Sequence, residues 1–520
     1  MEIMQLMHLV PYIHYYRRIY TMSSRENKNM KKKNPLIQGL IEATNLTLTE
    51  NLAVTFVSSG NGVLDFYSMG AALRSREEKD INALFIRAIA EDPLLAMKAL
   101  FYIRDIRGGQ GERRTFRIIL NHVAQNSPEL IRKNFENISF FGRWDDFYAL
   151  LNTPLEDPMF KFLHKQVLID LESENPSLLA KWLPSGNTSS KKTKQKAKIT
   201  RKKWNMTSEE YRKMLSKLRA EIDIVERKMC ANKWDKIKYE NVPSRASMIY
   251  RNAFKTHDLA RYEQYLEDVK SGKKEIKAST LYPYDMMRIV DKQGYNETIE
   301  LQWKNQPDWT HGKSEQSIVV CDTSGSMFSG YIVRNSVAPI YISTSLAIYF
   351  AERNTGAFKD MFITFSGIPK MQEIIGKTLH EKWLTLSKAD WGMNTNLQAV
   401  FDLILSVAKK HHVSEDDMIK KIYIISDMEF DRCVMDANHT NFQNIQKKYK
   451  KANYKVPEIV FWNVESRQNQ APVKKDEQRV ALVSGASPVI FETLMKGQIK
   501  TPVQLMELSL NNPRYDRVQI

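Results

Sequence analysis

Three oxygen-bearing side chains at alternating positions follow an apolar run in the C-terminal half of the chain. The segment from Ser317 to Met327 has the sequence SIVVCDTSGSM, which places Asp322, Ser324 and Ser326 directly after an uninterrupted apolar stretch. Such a stretch is typical of a buried parallel strand, and the loops beyond these strands form the ligand crevice of open α/β sheets. One carboxylate and two hydroxyls offer only hard oxygen donors, which suit Mg²⁺ better than Zn²⁺.

Two later segments end in groups of the same chemistry. The apolar run from Lys421 to Ser426 leads into Asp427, and the loop WGMNTNL carries Thr395 just before a helical pattern from Leu397 to Lys409. Parallel strands end at one edge of their sheet, so we expect these loops and the Asp322 loop to converge on one ion. For Asp427 alone, the alternative is a carboxylate that caps the following helix.

The surrounding pattern predicts the elements that position these loops. Further strands are expected at Met361–Phe365, Glu458–Val464 and Val480–Ser484, and amphipathic stretches separate them. Strands that alternate with helices indicate a doubly wound, mostly parallel sheet. The sequence therefore predicts an α/β domain over residues 313–520. The pair His411 and His412 is expected to cap the end of one of its helices.

The ordered set of oxygen donors resembles the metal-ion-dependent adhesion site of von Willebrand factor A domains. In that family these residues hold a divalent ion directly or through water, and a partner's carboxylate often completes the shell. The resemblance implies Mg²⁺, or another hard divalent cation such as Mn²⁺, held by Asp322, Ser324, Ser326, Thr395 and Asp427. One departure is Met428, which stands where many family members have glycine.

Composition fits a larger assembly around that domain. With 520 residues, 42% of them hydrophobic, the chain is long enough for two or three domains. The 77 Lys and Arg against 60 Asp and Glu give a net charge of +17, which favours polyanions such as nucleic acid as partners. A diffuse basic surface without a specific partner is the alternative. The three cysteines, Cys230, Cys321 and Cys433, are too far apart for a disulfide framework or a zinc motif, which indicates a reducing compartment.

Residues 1–34 are expected to form a poorly ordered extension. The stretch from Met1 to Tyr20 begins with Glu2 rather than a basic residue, and Pro11 and His14 interrupt its apolar run. It is therefore unlike a signal peptide and too short to span a bilayer, and Met22 is an alternative start. We expect a monomeric protein without a membrane partner in the cytoplasm, with the nucleus as the alternative.

Residues 35–312 have a helical period. Apolar residues recur at three- and four-residue spacing in Ile81–Ala90, Leu94–Ile106, Glu112–Ala124 and Phe147–Leu150. Two polar, turn-like clusters, RDIRGGQGER from Arg104 and GRWDD from Gly142, recur at a spacing of about 38 residues, near that of HEAT-type repeats. The predicted architecture is thus an all-α module of HEAT-like repeats followed by the α/β domain.

The same clusters carry a second resemblance. The stretches FYIRDIRGGQGERRTFR, FFGRWDDF, KWLPS and VPSRASMIYRNAF are similar to the TROVE-like helical-repeat module of Ro-type ribonucleoproteins, where it precedes a von Willebrand A domain. The chain resembles still more closely an uncharacterised family with this two-part plan, the domain-of-unknown-function family 2828 of plants, fungi and large DNA viruses. The resemblance implies a ring or horseshoe of helices whose basic surface binds structured or single-stranded RNA.

The first cluster has two interpretations. It is either a salt-bridged corner between repeats, with Gly108 and Gly109 supplying positive-φ turns, or a surface whose arginines contact phosphates. The arginines of the second interpretation are Arg107, Arg113, Arg114 and Arg117.

A second basic segment follows in residues 185–203. It has no evident apolar face, so we predict a flexible insert that is either solvated or in contact with RNA, with nuclear import as a third role. Trp204 and Tyr211 are expected to extend its surface. The candidate RNA-binding residues of the insert are Lys191, Lys192, Lys194, Lys196, Lys198, Arg201, Lys202 and Lys203.

Most sequence signatures of enzymes are absent. The chain contains no phosphate-binding loop, no His-Glu-x-x-His motif and no Gly-x-Ser-x-Gly elbow, and Ser324 stands where a dehalogenase-type phosphatase needs a second carboxylate. We expect a non-enzymatic RNA-binding scaffold of the Ro type with a metal site for partner capture. The alternative is a protein-interaction scaffold whose metal binds an acidic partner side chain without RNA. A metal-dependent nuclease or phosphatase is a third class.

Overall fold

The computed structural model describes residues 45–222, 224–312, 316–329, 337–389, 394–432 and 440–520. The strands are β1 (Leu46–Leu48), β2 (Val54–Phe56), β3 (Ser317–Asp322), β4 (Met361–Phe365), β5 (Met371–Glu373), β6 (Lys421–Ser426), β7 (Glu458–Asn463) and β8 (Val480–Ser484). The predicted extension 1–34 lies outside the described residues.

Along the chain, helices precede, separate and follow these strands. They are α1 (Gly62–Met69), α2 (Glu78–Glu91), α3 (Pro93–Arg104), α4 (Arg114–Asn126), α5 (Pro128–Arg132), α6 (Phe135–Phe141), α7 (Glu156–Glu172), α8 (Leu179–Trp182), α9 (Lys191–Lys203), α10 (Ser208–Glu221), α11 (Val225–Cys230), α12 (Ser244–His257), α13 (Leu259–Lys270), α14 (Pro283–Gln293), α15 (Glu297–Lys304), α16 (Pro339–Arg353), α17 (Leu379–Ser387), α18 (Leu397–His411), α19 (Asn441–Lys451), α20 (Ile490–Leu494) and α21 (Pro502–Leu510). No helix in the described ranges is long and apolar enough to cross a membrane.

The described residues form two compact units. The α/β unit comprises residues 45–103 and 308–516, and the helical unit comprises residues 104–307 and 517–520. The sequence instead predicted boundaries at residues 35 and 313. The difference arises because the segment 45–103 packs on the sheet: Phe56 exchanges backbone hydrogen bonds with Ala471, and Ser484 Oγ donates to Tyr67 O at 3.0 Å. The α/β unit is thus built from two separate stretches of chain.

A six-stranded sheet organises the α/β unit, in the order β5-β4-β3-β6-β7-β8. Neighbouring strands from β4 to β8 run parallel, and β5 pairs antiparallel with β4 at one edge. Every residue of β3, β6 and β7 is buried, which agrees with their uninterrupted apolar sequences. The five strands predicted from the sequence are confirmed, whereas the prediction missed β5 and the β1–β2 hairpin.

Two helices of the α/β unit illustrate how the sequence sets its packing. Helix α16 is buried from Pro339 to Ala351 and contacts β3 and β6, because its apolar residues surround the helix axis. Helix α18 is amphipathic and ends at His411, after which His412 takes the left-handed conformation with φ of 50°. The expected position of this histidine pair at a helix end is therefore confirmed.

A separate core holds part of the helical unit together. Its buried residues are Val225, Ile237, Tyr239, Val242, Ala246, Phe254, Tyr262, Tyr265, Leu266, Val269, Ile276 and Leu301. Aromatic rings dominate this cluster; the ring centroids of Tyr239 and Tyr262, for example, are 4.9 Å apart in an edge-to-face arrangement. The N-terminal part of the chain is thus mostly helical, as predicted.

The predicted flexible insert over residues 185–203 was wrong for its greater part, because helix α9 occupies it. Ser190 caps this helix by accepting a hydrogen bond from Thr193 N at 3.3 Å. Ala197 and Thr200 are buried, and Thr200 Oγ1 lies 2.8 Å from Tyr148 Oη. Ala197 and Thr200 are the two buried residues of this 13-residue helix, and a face so narrow is hard to recognise in a lysine-rich sequence.

A buried ion-pair network forms the corner between α3 and α4. Arg104 Nη2 and Asp146 Oδ2 are 2.8 Å apart, and Arg117 Nε lies 2.6 Å from Asp146 Oδ1. Arg104 and Asp146 expose 2% and 0% of their side chains. The positive φ expected at Gly108 and Gly109 occurs at Gly111 instead, where an added Cβ would meet Tyr282 Oη at 1.6 Å. The salt-bridged interpretation therefore holds for Arg104, whose partner Asp146 belongs to the second cluster, whereas Arg107 and Arg113 are exposed.

We expect Asp146→Ala to lower the free energy of unfolding of the helical unit by about 3–5 kcal/mol, because it leaves the Arg104 guanidinium buried without a counter-charge. Thermal and urea unfolding followed by circular dichroism measure the loss. Glu129→Ala, which breaks the exposed pair with Arg132, is the control and should leave stability unchanged. Equal effects of the two substitutions would contradict a stabilising role for the network.

Candidate functional site

The Asp322 segment turns immediately after β3. Asp322 Oδ1 accepts a hydrogen bond from Ser324 N at 2.9 Å, which folds the chain away from the strand direction. A 3₁₀ turn over Gly325–Phe328 follows, and Ser324 Oγ lies 3.0 Å from Ser326 Oγ. Asp322 and Ser324 are buried, whereas Ser326 is half-buried. The carboxylate and the two hydroxyls thus share one short loop, as the spacing predicted.

The loop after β6 lies beside the Asp322 loop because β3 and β6 are adjacent parallel strands. Ser426 Oγ donates a hydrogen bond to Asp322 Oδ2 at 2.5 Å. Asp427 follows and is fully buried, and its Oδ1 accepts a hydrogen bond from Glu429 N at 3.2 Å. The two carboxylates predicted to meet, those of Asp322 and Asp427, therefore occupy the same edge of the sheet.

Met428 adopts a left-handed backbone with φ of 67° and has a buried side chain. A residue with a Cβ in this conformation costs roughly 1–2 kcal/mol relative to the right-handed one. Glycine, which the resemblance leads one to expect here, takes this conformation without that cost. The loop after Asp427 thus has a glycine-like backbone although the residue is methionine.

Burial and mutual repulsion dominate the electrostatics of the pair. Burial raises the pKa of Asp322 to about 7, and the charge of Asp427 adds to that rise. Burial also raises the pKa of Asp427, while the Ser326 hydroxyl and the Arg467 guanidinium oppose this effect. Asp427 Oδ2 is buried and makes no hydrogen bond to a described residue; Arg467 Nη2 lies 3.4 Å away. A cation between these oxygens would relieve the repulsion.

Thr395 contacts the Asp427 loop two residues further along. Its Oγ1 donates to Glu429 O at 2.7 Å, and its backbone N donates to Asp431 Oδ2 at 2.9 Å. Asn51 Nδ2 donates to the same Thr395 oxygen at 3.0 Å. The third predicted segment therefore reaches the site, but the contacts of Thr395 are with Glu429, Asp431 and Asn51 rather than with the two central carboxylates.

Several residues at this site were missed from the sequence. Ser426 and Asp431 were within reach of prediction, because they flank Asp427 in a run of acidic and hydroxyl residues. Arg467 was not, since it lies in the β7–β8 connection; its Nη2 donates to Ser326 O at 2.6 Å. Glu50 and Asn51, which belong to the hairpin turn, carry no sequence signal for a place at this sheet edge.

The donor set fits a small, hard cation. Ser324 Oγ and Ser326 Oγ lie 3.0 Å apart, within hydrogen-bond distance, and would supply two neutral oxygen ligands to such an ion. The buried Asp427 Oδ2 without a hydrogen bond adds an anionic donor. Within the described ranges, no group of three or more His, Cys, Asp or Glu side chains is arranged to hold a metal. The fit therefore depends on hydroxyl donors, which Mg²⁺ and Mn²⁺ accept.

The arginines predicted to bind RNA occupy different environments in the helical unit. Arg107, Arg113 and Arg114 are exposed. Arg117 is half-buried and forms ion pairs with Asp145 at 2.8 Å and with Asp146 at 2.6 Å. Arg117 is thus committed to the corner between α3 and α4, and its charge is neutralised within the protein.

Helix α9 carries the lysine-rich segment on an ordered surface. Its exposed cations are Lys191, Lys192, Lys194, Lys198, Lys202 and Lys203, while Lys196 and Arg201 are half-buried. Lys203 Nζ forms ion pairs with Glu156 at 2.9 Å and with Asp157 at 2.5 Å. Trp204 and Tyr211, expected to extend this surface, are buried at 7% and 3% exposure and therefore belong to the core.

Comparisons with known proteins agree with the two-part plan. Residues 316–512 match the family model described as domain of unknown function DUF7788, and residues 49–198 and 177–316 match DUF2828, also a domain of unknown function. An uncharacterized protein of Acanthamoeba polyphaga mimivirus is 27% identical over 507 residues, covering 89% of this chain and 86% of its own length. Because the second family model spans more than half of the chain, the protein belongs to the DUF2828 family.

Proposed function

We propose that the protein is a non-enzymatic RNA-binding scaffold of the Ro ribonucleoprotein type, with a hard divalent cation in its α/β unit. In this proposal the helical unit is a TROVE-like, HEAT-type module that binds RNA, and the α/β unit is a von Willebrand A-type domain. The observation that carries the RNA part is helix α9, an ordered helix whose lysines, apart from Lys203, form no ion pair with a described residue.

The charge of α9 is unusual for a helix. Eight of the residues from 191 to 203 are Lys or Arg and none is acidic. Lys191, Lys192 and Lys194 lie in or next to the first turn, where the unpaired backbone N–H groups already create a positive end and acidic residues are preferred. This arrangement favours a bound polyanion, because phosphates neutralise the lysines and the helix end together.

Lys196 continues the positive surface on the docked side of α9. Its ammonium lies 5.1 Å from the centroid of the Tyr148 ring. Burial lowers the pKa of Lys196 and the charges of Arg117 and Lys192 lower it further, while Asp145 opposes them. A phosphate at this position would offset the repulsion, and flexible lysines need no fixed geometry to contact an RNA backbone.

We expect the triple substitution Lys191→Glu, Lys194→Glu and Lys198→Glu to weaken RNA binding at least tenfold. Loss of three phosphate contacts should also reduce the slope of log affinity against log salt by roughly 2 for a single strand. Titrations of the full chain with single-stranded and structured RNA at several salt concentrations measure both quantities.

A charge-matched triple, Lys233→Glu, Lys236→Glu and Lys238→Glu, is the control, because these residues are exposed elsewhere in the helical unit. It should retain the affinity and salt slope of the parent. Equal losses in the two triples would indicate a diffuse basic surface. Micromolar or weaker, salt-insensitive binding by the parent would reject the RNA-binding proposal.

The oxygen cluster of the α/β unit supports the second candidate function, a protein-interaction scaffold that captures an acidic side chain through a bound cation. Asp322, Ser324, Ser326 and Asp427 would hold the ion, and Thr395 would support the site through the Asp427 loop. The cation would supply the positive charge that attracts a partner's carboxylate. Chelation of the ion with EDTA distinguishes the two candidates. If partner binding is lost while the affinity for RNA is unchanged, the second candidate is favoured over the first.

We expect millimolar Mg²⁺ to raise the melting temperature of the parent, because a ligand that binds only the folded state stabilises it by about 2.7 kcal/mol at a hundredfold excess over Kd. Asp322→Asn and Asp427→Asn should each abolish this rise. Asp416→Asn, at a fully exposed carboxylate, is the control and should retain it. Differential scanning fluorimetry in Mg²⁺ and in EDTA makes the comparison. An unchanged melting temperature of the parent in Mg²⁺ would count against the metal site.

A further inference from the structure

The hairpin formed by β1 and β2 contacts the loops of the oxygen cluster. Asp322, Thr395 and Asp427 have 0% exposure, although Asp322 ends β3 and Asp427 follows β6, at the edge of the sheet where a ligand crevice is normally open. The turn of the hairpin, Thr49–Leu52, contacts the loop after Asp427 and the Arg467 side chain. A segment that lies far from the cluster in sequence therefore packs against its loops.

Side-chain contacts of this turn are directed at the site itself. Asn51 Nδ2 donates to Thr395 Oγ1 at 3.0 Å and to Glu429 O at 2.8 Å. Thr49 Oγ1 donates to Phe430 O at 2.7 Å. Each acceptor belongs to Thr395 or to the loop that follows Asp427, so the turn holds the predicted metal-binding loops in their present arrangement.

An acidic side chain of the turn pairs with the arginine beside the cluster. Arg467 Nη1 donates to Glu50 Oε2 at 2.9 Å, while Nη2 of the same guanidinium donates to Ser326 O and lies 3.4 Å from Asp427 Oδ2. Glu50 thus supplies, from within the chain, a carboxylate at the mouth of a cluster proposed to bind carboxylates. The Glu50 carboxylate pairs with Arg467, so the guanidinium of Arg467 links Glu50 to the cluster.

The turn is attached by polar contacts and carries local strain. Leu46, Leu48 and Leu52 remain 39%, 48% and 57% exposed, so this part of the hairpin buries little apolar surface. Leu52 also has a left-handed φ of 65°, which persists only where surrounding contacts enforce it. By contrast, β2 is anchored by the buried Phe56 and its backbone pairing with Ala471. The turn is therefore held by polar contacts, which include a backbone bridge between Leu52 and Asp431, whereas β2 is held by apolar burial as well.

We propose that the turn Thr49–Leu52 is a detachable cover, held by Glu50 on Arg467 and by Asn51 on Thr395, that an acidic partner group must displace to reach the cluster. This inference rests on the proposed function of the oxygen cluster as a carboxylate-binding metal site. The chain then controls access to the site through its own acidic residue, Glu50. Binding of the partner's acidic group and displacement of the turn therefore occur together.

Hydrogen–deuterium exchange of the full chain in EDTA tests the cover. In Glu50→Gln, and separately in Asn51→Ala, exchange in residues 49–52 and 428–431 should rise together by about tenfold, because the first variant weakens one charge-assisted hydrogen bond of the turn and the second removes two neutral ones. Exchange in β6 should stay unchanged. Glu77→Gln, which breaks an exposed pair with Lys79 in the same unit, should behave like the parent.

Exchange that is unchanged in both variants, or that rises equally in β6 and β8, would overturn the cover. Mn²⁺ binding to the parent and to Glu50→Gln, followed by electron paramagnetic resonance, separates this inference from the proposed metal site. If neither protein binds Mn²⁺, the metal site fails and the cover loses its proposed role. If Mn²⁺ binds but exchange is unchanged, only the cover is overturned.

Discussion

The burial of two carboxylates at the ends of neighbouring parallel strands is the constraint on which the α/β unit depends. Because β3 and β6 are adjacent and parallel, Asp322 and Asp427 leave the sheet at the same edge and are both withdrawn from water. Two buried like charges are costly unless hydrogen bonds or cations offset them. Ser426, the Ser324 amide and Arg467 each meet part of this requirement, and the left-handed turn at Met428 follows from the same loop geometry.

The same constraint explains why the N-terminal segment belongs to the α/β unit. Glu429 of the Asp427 loop is buried, and burial raises the pKa of its carboxyl to about 7. Three donors meet its oxygens: the Glu50 amide at 2.6 Å, Gln468 at 3.1 Å and Gln470 at 2.8 Å. The hairpin therefore supplies one of the hydrogen bonds that the buried carboxyl group of Glu429 needs, and the C-terminal stretch supplies the others. A C-terminal fragment that begins at residue 313 would lack the donor that Glu50 provides. The sequence pattern alone does not reveal this dependence.

What the sequence predicted correctly was local, and what it missed was either very short or non-local. Strands such as β6 were predicted because six buried residues in a row leave a clear apolar run. Strands β1, β2 and β5 span three residues each, too few for a period to be recognised. Arg467 and Glu50 meet across more than four hundred residues, and only folding brings them together. Helix α9 was missed because only a narrow face of it packs against the protein. Long lysine side chains occupy most other positions, so the sequence shows no apolar period.

The helical unit shows that the number of cations in a sequence is a poor measure of a polyanion-binding surface. Arg104 and Arg117 lie in a strongly basic segment, yet Asp145 and Asp146 pair with them and neutralise their charges. Lysines on α9, apart from Lys203, have no such acidic partner among the ion pairs of the described residues, and the helix itself contains no acid. Charge that the fold leaves uncompensated is available to an external polyanion, because binding then requires no internal pair to break. By this criterion the proposal of RNA binding favours α9 over Arg104 and Arg117.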